Sequence, residues 1–94
     1  MRKAQLIILD VLRSDRKWWF GLEMIKADPR IKRGVVYAHL SKLEDEGYVE
    51  SQRIDTRDGV RIQYRITNKG RGKLIETEQE PSALEWLIVT LSIL

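Results

Sequence analysis

Hydrophobic positions along the chain fall into short patterned blocks separated by polar or glycine breaks. Residues 3 to 13 carry Ala4, Leu6, Ile7, Ile8, Leu9, Val11 and Leu12. At helical spacing these cover more than half the circumference, which predicts a first helix covered on two sides. Ser14-Asp15-Arg16-Lys17 interrupts the pattern. Trp18 and Trp19 suit a short extended piece before a second helix over about residues 20 to 27, with Leu22, Ile25 and Met24 facing inward. Asp28 precedes Pro29, and a residue before proline is pushed out of the helical region, so this helix should stop there. A third helix is expected from Lys32 or Arg33 to Glu46. Val36, Leu40 and Leu43 form its apolar stripe, Tyr37 and Glu44 the edges, and Val35, Ala38, Ser41, Lys42 and Asp45 the opposite side. Gly47 stands where a left-handed residue closes a helix.

Two strands follow, near residues 48 to 54 and 60 to 66, with Asp58-Gly59 as the turn signal. Strand alternation puts Val60, Ile62, Tyr64 and Ile66 on one face and Arg61, Gln63 and Arg65 on the other, predicting a core side and a guanidinium side. Thr67 is a good N-cap for a fourth helix from Asn68, although Gly70 and Gly72 weaken its first turns. Pro81 then interrupts, and residues 82 to 94 form an apolar segment. Helix is the preferred reading there, with strand kept open by Ile88-Val89-Thr90. The expected class is α+β, mostly helical: a winged helix-turn-helix with a three-helix core, a two-stranded β-wing and an additional C-terminal helix. Residues 1 to 75 would be the winged-helix domain and 76 to 94 an acidic, apolar tail for dimerisation.

Charge sharpens that division. The 94 residues carry a net +3. All 17 Lys and Arg lie within residues 1 to 75 against 10 Asp and Glu, a local +7, while residues 76 to 94 hold four glutamates and no base, a local −4. A basic body suits a polyanion and the tail suits something else. With no cysteine there is no disulfide framework and no thiolate metal site, which fits a cytoplasmic protein. The basic N-terminus lacks the cleavage pattern of a signal peptide, and no apolar run approaches the ~20 residues of a membrane helix.

The order of elements resembles the PadR-like family of bacterial and archaeal winged-helix transcriptional regulators, over roughly residues 5 to 74. The residues that carry the likeness are Gly21-Leu22-Glu23-Met24-Ile25, Gly34-Val35-Val36-Tyr37, Leu40, Leu43-Glu44 and Gly47-Tyr48-Val49-Glu50, then Tyr64-Arg65-Ile66-Thr67 with Gly70. Where the family often has Ser-Pro opening the recognition helix, this chain has Lys32-Arg33. Its C-terminal helix would be short for the family. The resemblance implies a double-stranded DNA partner, a homodimer and, from some relatives, a small aromatic effector.

Read residue by residue, the third helix would enter the major groove, with Lys32 and Arg33 at its entrance and Val35, Ala38, Ser41 and Lys42 facing the bases. The plain alternative is a solvated outer face. Arg53, Arg57, Arg61 and Arg65 would meet phosphates or the minor groove, against local salt bridges with Asp55 and Asp58. Leu6 and Leu9 of the first helix and Leu84, Leu87, Ile88 and Leu91 of the tail are candidates for a two-fold contact, with folding back of the tail as the alternative. Trp18, Trp19 and Trp86 would wall an effector pocket, or else divide between core and dimer contact. His39 has no partner set for a metal, and no catalytic signature or cofactor motif appears. The function expected is a sequence-specific regulator, most simply a dimeric repressor. A winged-helix protein-interaction module is the alternative, and a non-specific architectural binder sits poorly with so low a net charge.

Overall fold

The computed structural model describes residues 1–79. Helix α1 spans Lys3–Arg13, strand β1 Trp19–Phe20, α2 Gly21–Ala27, α3 Val36–Asp45, β2 Val49–Thr56, β3 Gly59–Ile66 and α4 Asn68–Glu78. The strands form one antiparallel sheet in the order β1-β3-β2. The extended piece foreseen around the tryptophans is thus a third strand of the wing sheet. It pairs Trp19 with Tyr64 and Phe20 with Gln63. The segment beyond residue 79, including Leu84, Trp86, Leu87, Ile88 and Leu91, lies outside the described residues.

One core joins these elements. It contains Leu6 to Leu9, Val11 and Leu12 of α1, Met24 of α2, Val36, Leu40 and Leu43 of α3, and Trp19, Val49, Tyr64 and Ile66 of the sheet. Leu74 closes it from α4, and Ile31 from the α2–α3 turn. The apolar stripe expected on α3 is therefore the buried one. Leu9, expected at a subunit contact, is 0% exposed within its own chain, and Leu6 is buried beside it. Apolar residues on every side of α1 are used up by packing inside the subunit. Leu22, expected to face inward, is 42% exposed, and on α2 Met24 takes the fully buried place.

The turn between α2 and α3 is built by one carboxylate. The Arg30 backbone N–H donates to Asp28 Oδ1 at 2.9 Å, and its guanidinium to Oδ1 and Oδ2 at 3.0 and 2.6 Å. Ile31 N–H closes the turn on the Asp28 carbonyl at 3.0 Å. Residues 33–35 remain in a turn, with the N–H groups of Val35 and Val36 both donating to the Lys32 carbonyl. Hence α3 begins at Val36 rather than at Lys32 or Arg33. Val35 has φ −124° and ψ −8°, and as a cap it offers no side-chain acceptor, so nothing extends the helix backward through Gly34.

The Arg30 guanidinium holds the Asp28 carboxyl below its ordinary value, with the Arg30 backbone N–H adding to the effect. A lowered folded value means the contribution is present at neutral pH and disappears as pH falls from about 4 through the folded value. Replacing Asp28 by Asn should cost about 1 kcal/mol at pH 7 and much less at pH 2. Urea titrations at the two pH values would show it; an equal loss at both would remove the carboxylate from the account.

At its other end α3 closes as expected. Gly47 has φ +82°, and the N–H groups of Gly47 and Tyr48 donate to the carbonyls of Glu44 and Leu43, each at 2.9 Å. That pair of bonds is the Schellman closure. In the hairpin the loop residues are Arg57 and Asp58, one position earlier than the Asp58-Gly59 signal suggested, and Gly59 at φ +114° carries the reversal as the first residue of β3. Thr67 caps α4 by accepting from the Gly70 N–H at 3.1 Å. Helix α4 runs on through Glu78, across the boundary drawn at residue 75.

Candidate nucleic-acid interface

Helix α3 projects Ala38, Ser41 and Lys42 outward, all exposed, with Val35 beside them at its start. At ~100° per residue these four fall within about 120° of arc, a strip that one groove can hold. Lys32 and Arg33 are exposed in the turn that leads into it. The buried Ile31 pins that turn to the core, a role the sequence reading had not assigned because one isolated apolar residue in a polar loop carries no periodic signal. His39 is half-buried on the helix flank. Among the described residues no group of three or more His, Cys, Asp or Glu could hold a metal ion.

The start of α3 is fitted tightly to α2. A Cβ placed on Gly21 would lie 2.7 Å from the Tyr37 hydroxyl oxygen, so the exposed Tyr37 ring rests against this glycine and would have to swing aside for a larger residue. Farther down, Glu44 of α3 accepts from the Ser51 hydroxyl of β2, tying helix to wing.

The wing sorts its four arginines. Residues paired across antiparallel strands share a face. Arg53 lies opposite Ile62 and Ile54 opposite Arg61, so Arg53 shares the face of Val60, Ile62 and Tyr64, while Arg61 and Arg65 share the other. Arg57 stands at the tip. The face expected to be core divides along its length. Tyr64 and Ile66 are buried, and burial raises the Tyr64 hydroxyl above its ordinary value. Val60 and Ile62 are 48% and 47% exposed, because the distal hairpin extends past the helices that would cover it.

Partners separate the arginines further. Arg65 pairs with Glu50 and lies 4.4 Å over the centre of the Trp18 ring, so it is tied into the outer face of the sheet. Arg61 lies 5.5 Å over Phe20. Lys32, Arg33, Lys42, Arg53 and Arg57 have no ion pair, side-chain hydrogen bond or ring contact among the described residues. Asp55 and Asp58, the expected local partners, pair with none of them.

Trp18 and Trp19 do not share a wall. Successive strand residues point to opposite faces. Trp19 is buried in the core, donating its indole N–H to the Asp15 carbonyl at 3.3 Å, while Trp18 lies half-buried under Arg65 on the other side. An effector pocket lined by both is excluded by this geometry.

Residues 8–76 match the family model described as the transcriptional regulator PadR-like family. The chain belongs to that family. Similar solved structures agree in fold. A PadR family transcription regulator from Clostridium difficile R20291 is 22% identical, with a TM-score of 0.72 over 96% of this chain and 98% of that one. A PadR family regulator from Eggerthella lenta is 22% identical, with a TM-score of 0.67 over 92% and 76%. A transcriptional regulator from Clostridium thermocellum is 24% identical, with a TM-score of 0.65 over 95% and 87%. At such identities these likenesses show the fold alone. No curated protein matches the chain. As a PadR-like protein it is a winged-helix DNA-binding transcriptional regulator and not an enzyme. Among the described residues no helix is long and apolar enough to cross a membrane.

Proposed function

We propose that this PadR-like chain is a sequence-specific regulator that sets α3 into the major groove of double-stranded DNA and its wing against the flanking backbone or minor groove. One observation carries the reading: five exposed cations, Lys32, Arg33, Lys42, Arg53 and Arg57, stand without partners among the described residues, on α3 with its leading turn and on the wing, which the Glu44–Ser51 contact joins. Lys17, Arg30 and Arg65, by contrast, pair with carboxylates of the same chain. Phosphates supply partners for the first set, and base edges meet Val35, Ala38 and Ser41.

A homodimer would place two such helices in successive half-sites. Its support is the apolar tail of Leu84, Leu87, Ile88 and Leu91, too much apolar surface for a small subunit to leave in water. With Leu6 and Leu9 buried in the subunit, the contact falls to the tail. Repression would follow from occupancy of the operator.

Fluorescence anisotropy with promoter-region and random duplexes across salt, together with the mass in solution, tests this reading. Binding should favour one promoter duplex, and the mass should be that of two chains. Arg33→Ala should weaken binding about tenfold at 0.1 M salt and lower the salt slope by about one. Absence of binding at low salt would sink the proposal, and equal binding to every duplex would reduce it to an architectural role.

A further inference from the structure

A second basic place lies at the far end of α3, where the start of α1 meets α4. Arg2, Gln5, Lys42, Glu46, Tyr48 and Lys73 line an open hollow of about 460 Å³. Its floor holds an anomaly. Gln5 sits in an otherwise apolar helix face and is only 3% exposed, the single buried polar residue among the described ones. Its carboxamide makes no hydrogen bond to another described residue. No wholly occluded side-chain polar atom among the described residues lacks a partner, and Gln5 lines the hollow, so its unpaired carboxamide opens toward it. Buried amides are kept where something satisfies them.

The charges around it point to the kind of group. Arg2 and Lys42 have no partner among the described residues. Lys73 reaches Glu76 only at 3.7 Å on an exposed carboxylate. Glu46 is the one acid in the lining; the three side-chain cations against it leave a net +2, and the amino group of Met1, which also lines the hollow, adds to it. The negative end of the α3 dipole is already covered, because Lys69 donates to the Glu46 carbonyl at 2.6 Å. We propose that this hollow is an oxyanion site for a phosphate group. The Gln5 amide N–H, Arg2, Lys42 and Lys73 would donate to its oxygens. A phosphate group carries about −1 as a diester and about −1.5 to −2 as a monoester, a fair match to the lining. The group has two possible sources: a backbone phosphate of bound DNA beyond the recognition helix, or a free phosphate. The first source rests on the DNA reading above.

Gln5→Leu and Lys73→Gln test the site without touching the turn or the wing. Leucine at a buried position and glutamine at a surface one should both leave the fold intact. In one arm, thermal unfolding is followed in inorganic phosphate and in chloride at matched ionic strength. A phosphate excess of about tenfold over Kd should raise the midpoint of the natural chain by several degrees. Phosphate stabilises proteins in general by exclusion from their surface, and that part persists in both variants. Loss of the excess rise in both variants identifies a free-phosphate site. In the other arm, duplex affinity is measured across salt. A slope lower by about one in Lys73→Gln, with weaker binding in Gln5→Leu, identifies a DNA phosphate. Variants that match the natural chain in both arms overturn the proposal. If the natural chain itself binds no duplex, the DNA reading fails, and the free-phosphate arm still decides the site.

Discussion

Replacing Gly70 by alanine should destabilise the protein by about 3 kcal/mol, although alanine is the better helix former by ~1 kcal/mol. Gly70 is buried in the first turn of α4, where the helix crosses the strand entering the wing. A Cβ there would overlap the Tyr48 carbonyl oxygen and lie 2.7 Å from Ile66 Cγ1. The oxygen belongs to the backbone and also accepts from the Thr67 N–H at 3.1 Å, so it cannot turn aside. Either α4 lifts from the sheet, exposing Leu74, or the Tyr48–Thr67 bond breaks. Urea unfolding should show a lower midpoint with an unchanged m-value. Gly72→Ala is the control: its Cβ meets nothing within 4 Å, and the same substitution two residues on should be neutral or mildly stabilising. Equal behaviour of the two variants would remove close approach as the reason for Gly70.

The second large effect concerns the wing. Arg53→Ala with Arg57→Ala should weaken binding to an operator duplex by on the order of 50-fold at 0.1 M salt and lower the salt slope by about two. Neither side chain has a partner among the described residues, so neither loss should disturb stability beyond a few tenths of a kcal/mol. Arg65→Ala should do the reverse. Its guanidinium is held by Glu50 and Trp18 on the outer face of the sheet, so stability falls slightly while the slope stays put. Anisotropy titrations at several salt concentrations on the two variants distinguish these outcomes. A steeper loss from Arg65→Ala than from the double variant would reverse the assignment of the faces.

What the sequence made legible follows from where periodic burial exists. Val36, Leu40 and Leu43 repeat at helical spacing, and Gly47 and Thr67 mark ends with a stated backbone need, so α3, its stop and the α4 cap could be read directly. Three features were hidden for three reasons. Strand β1 is only two residues long and is defined by its partner Tyr64-Gln63, a pairing remote in sequence. The apolar alternation of Val60 and Ile62 continues past the end of the helices beneath it, so pattern alone overstated the core. The arginines of the hairpin look equivalent in sequence, and only the register shows that Arg53 and Arg65 face apart. Helix α3 starts later than the pattern suggests because Lys32-Arg33 carries no signal against helix, while a second turn over residues 33–35, closed on the Lys32 carbonyl, follows the Asp28 turn.

Strand β1 has a mechanical meaning. It leads without a break into α2, whose Gly21 carries the Tyr37 ring at the head of α3, and it is stitched to β3 by only two residue pairs. The hairpin therefore does not choose its own angle. Its root is held both by Trp19 and Phe20, on the chain that also meets the head of α3, and by the Glu44–Ser51 contact. A change in either residue should therefore shift the spacing between α3 and the wing while leaving the exposed cations of both in place.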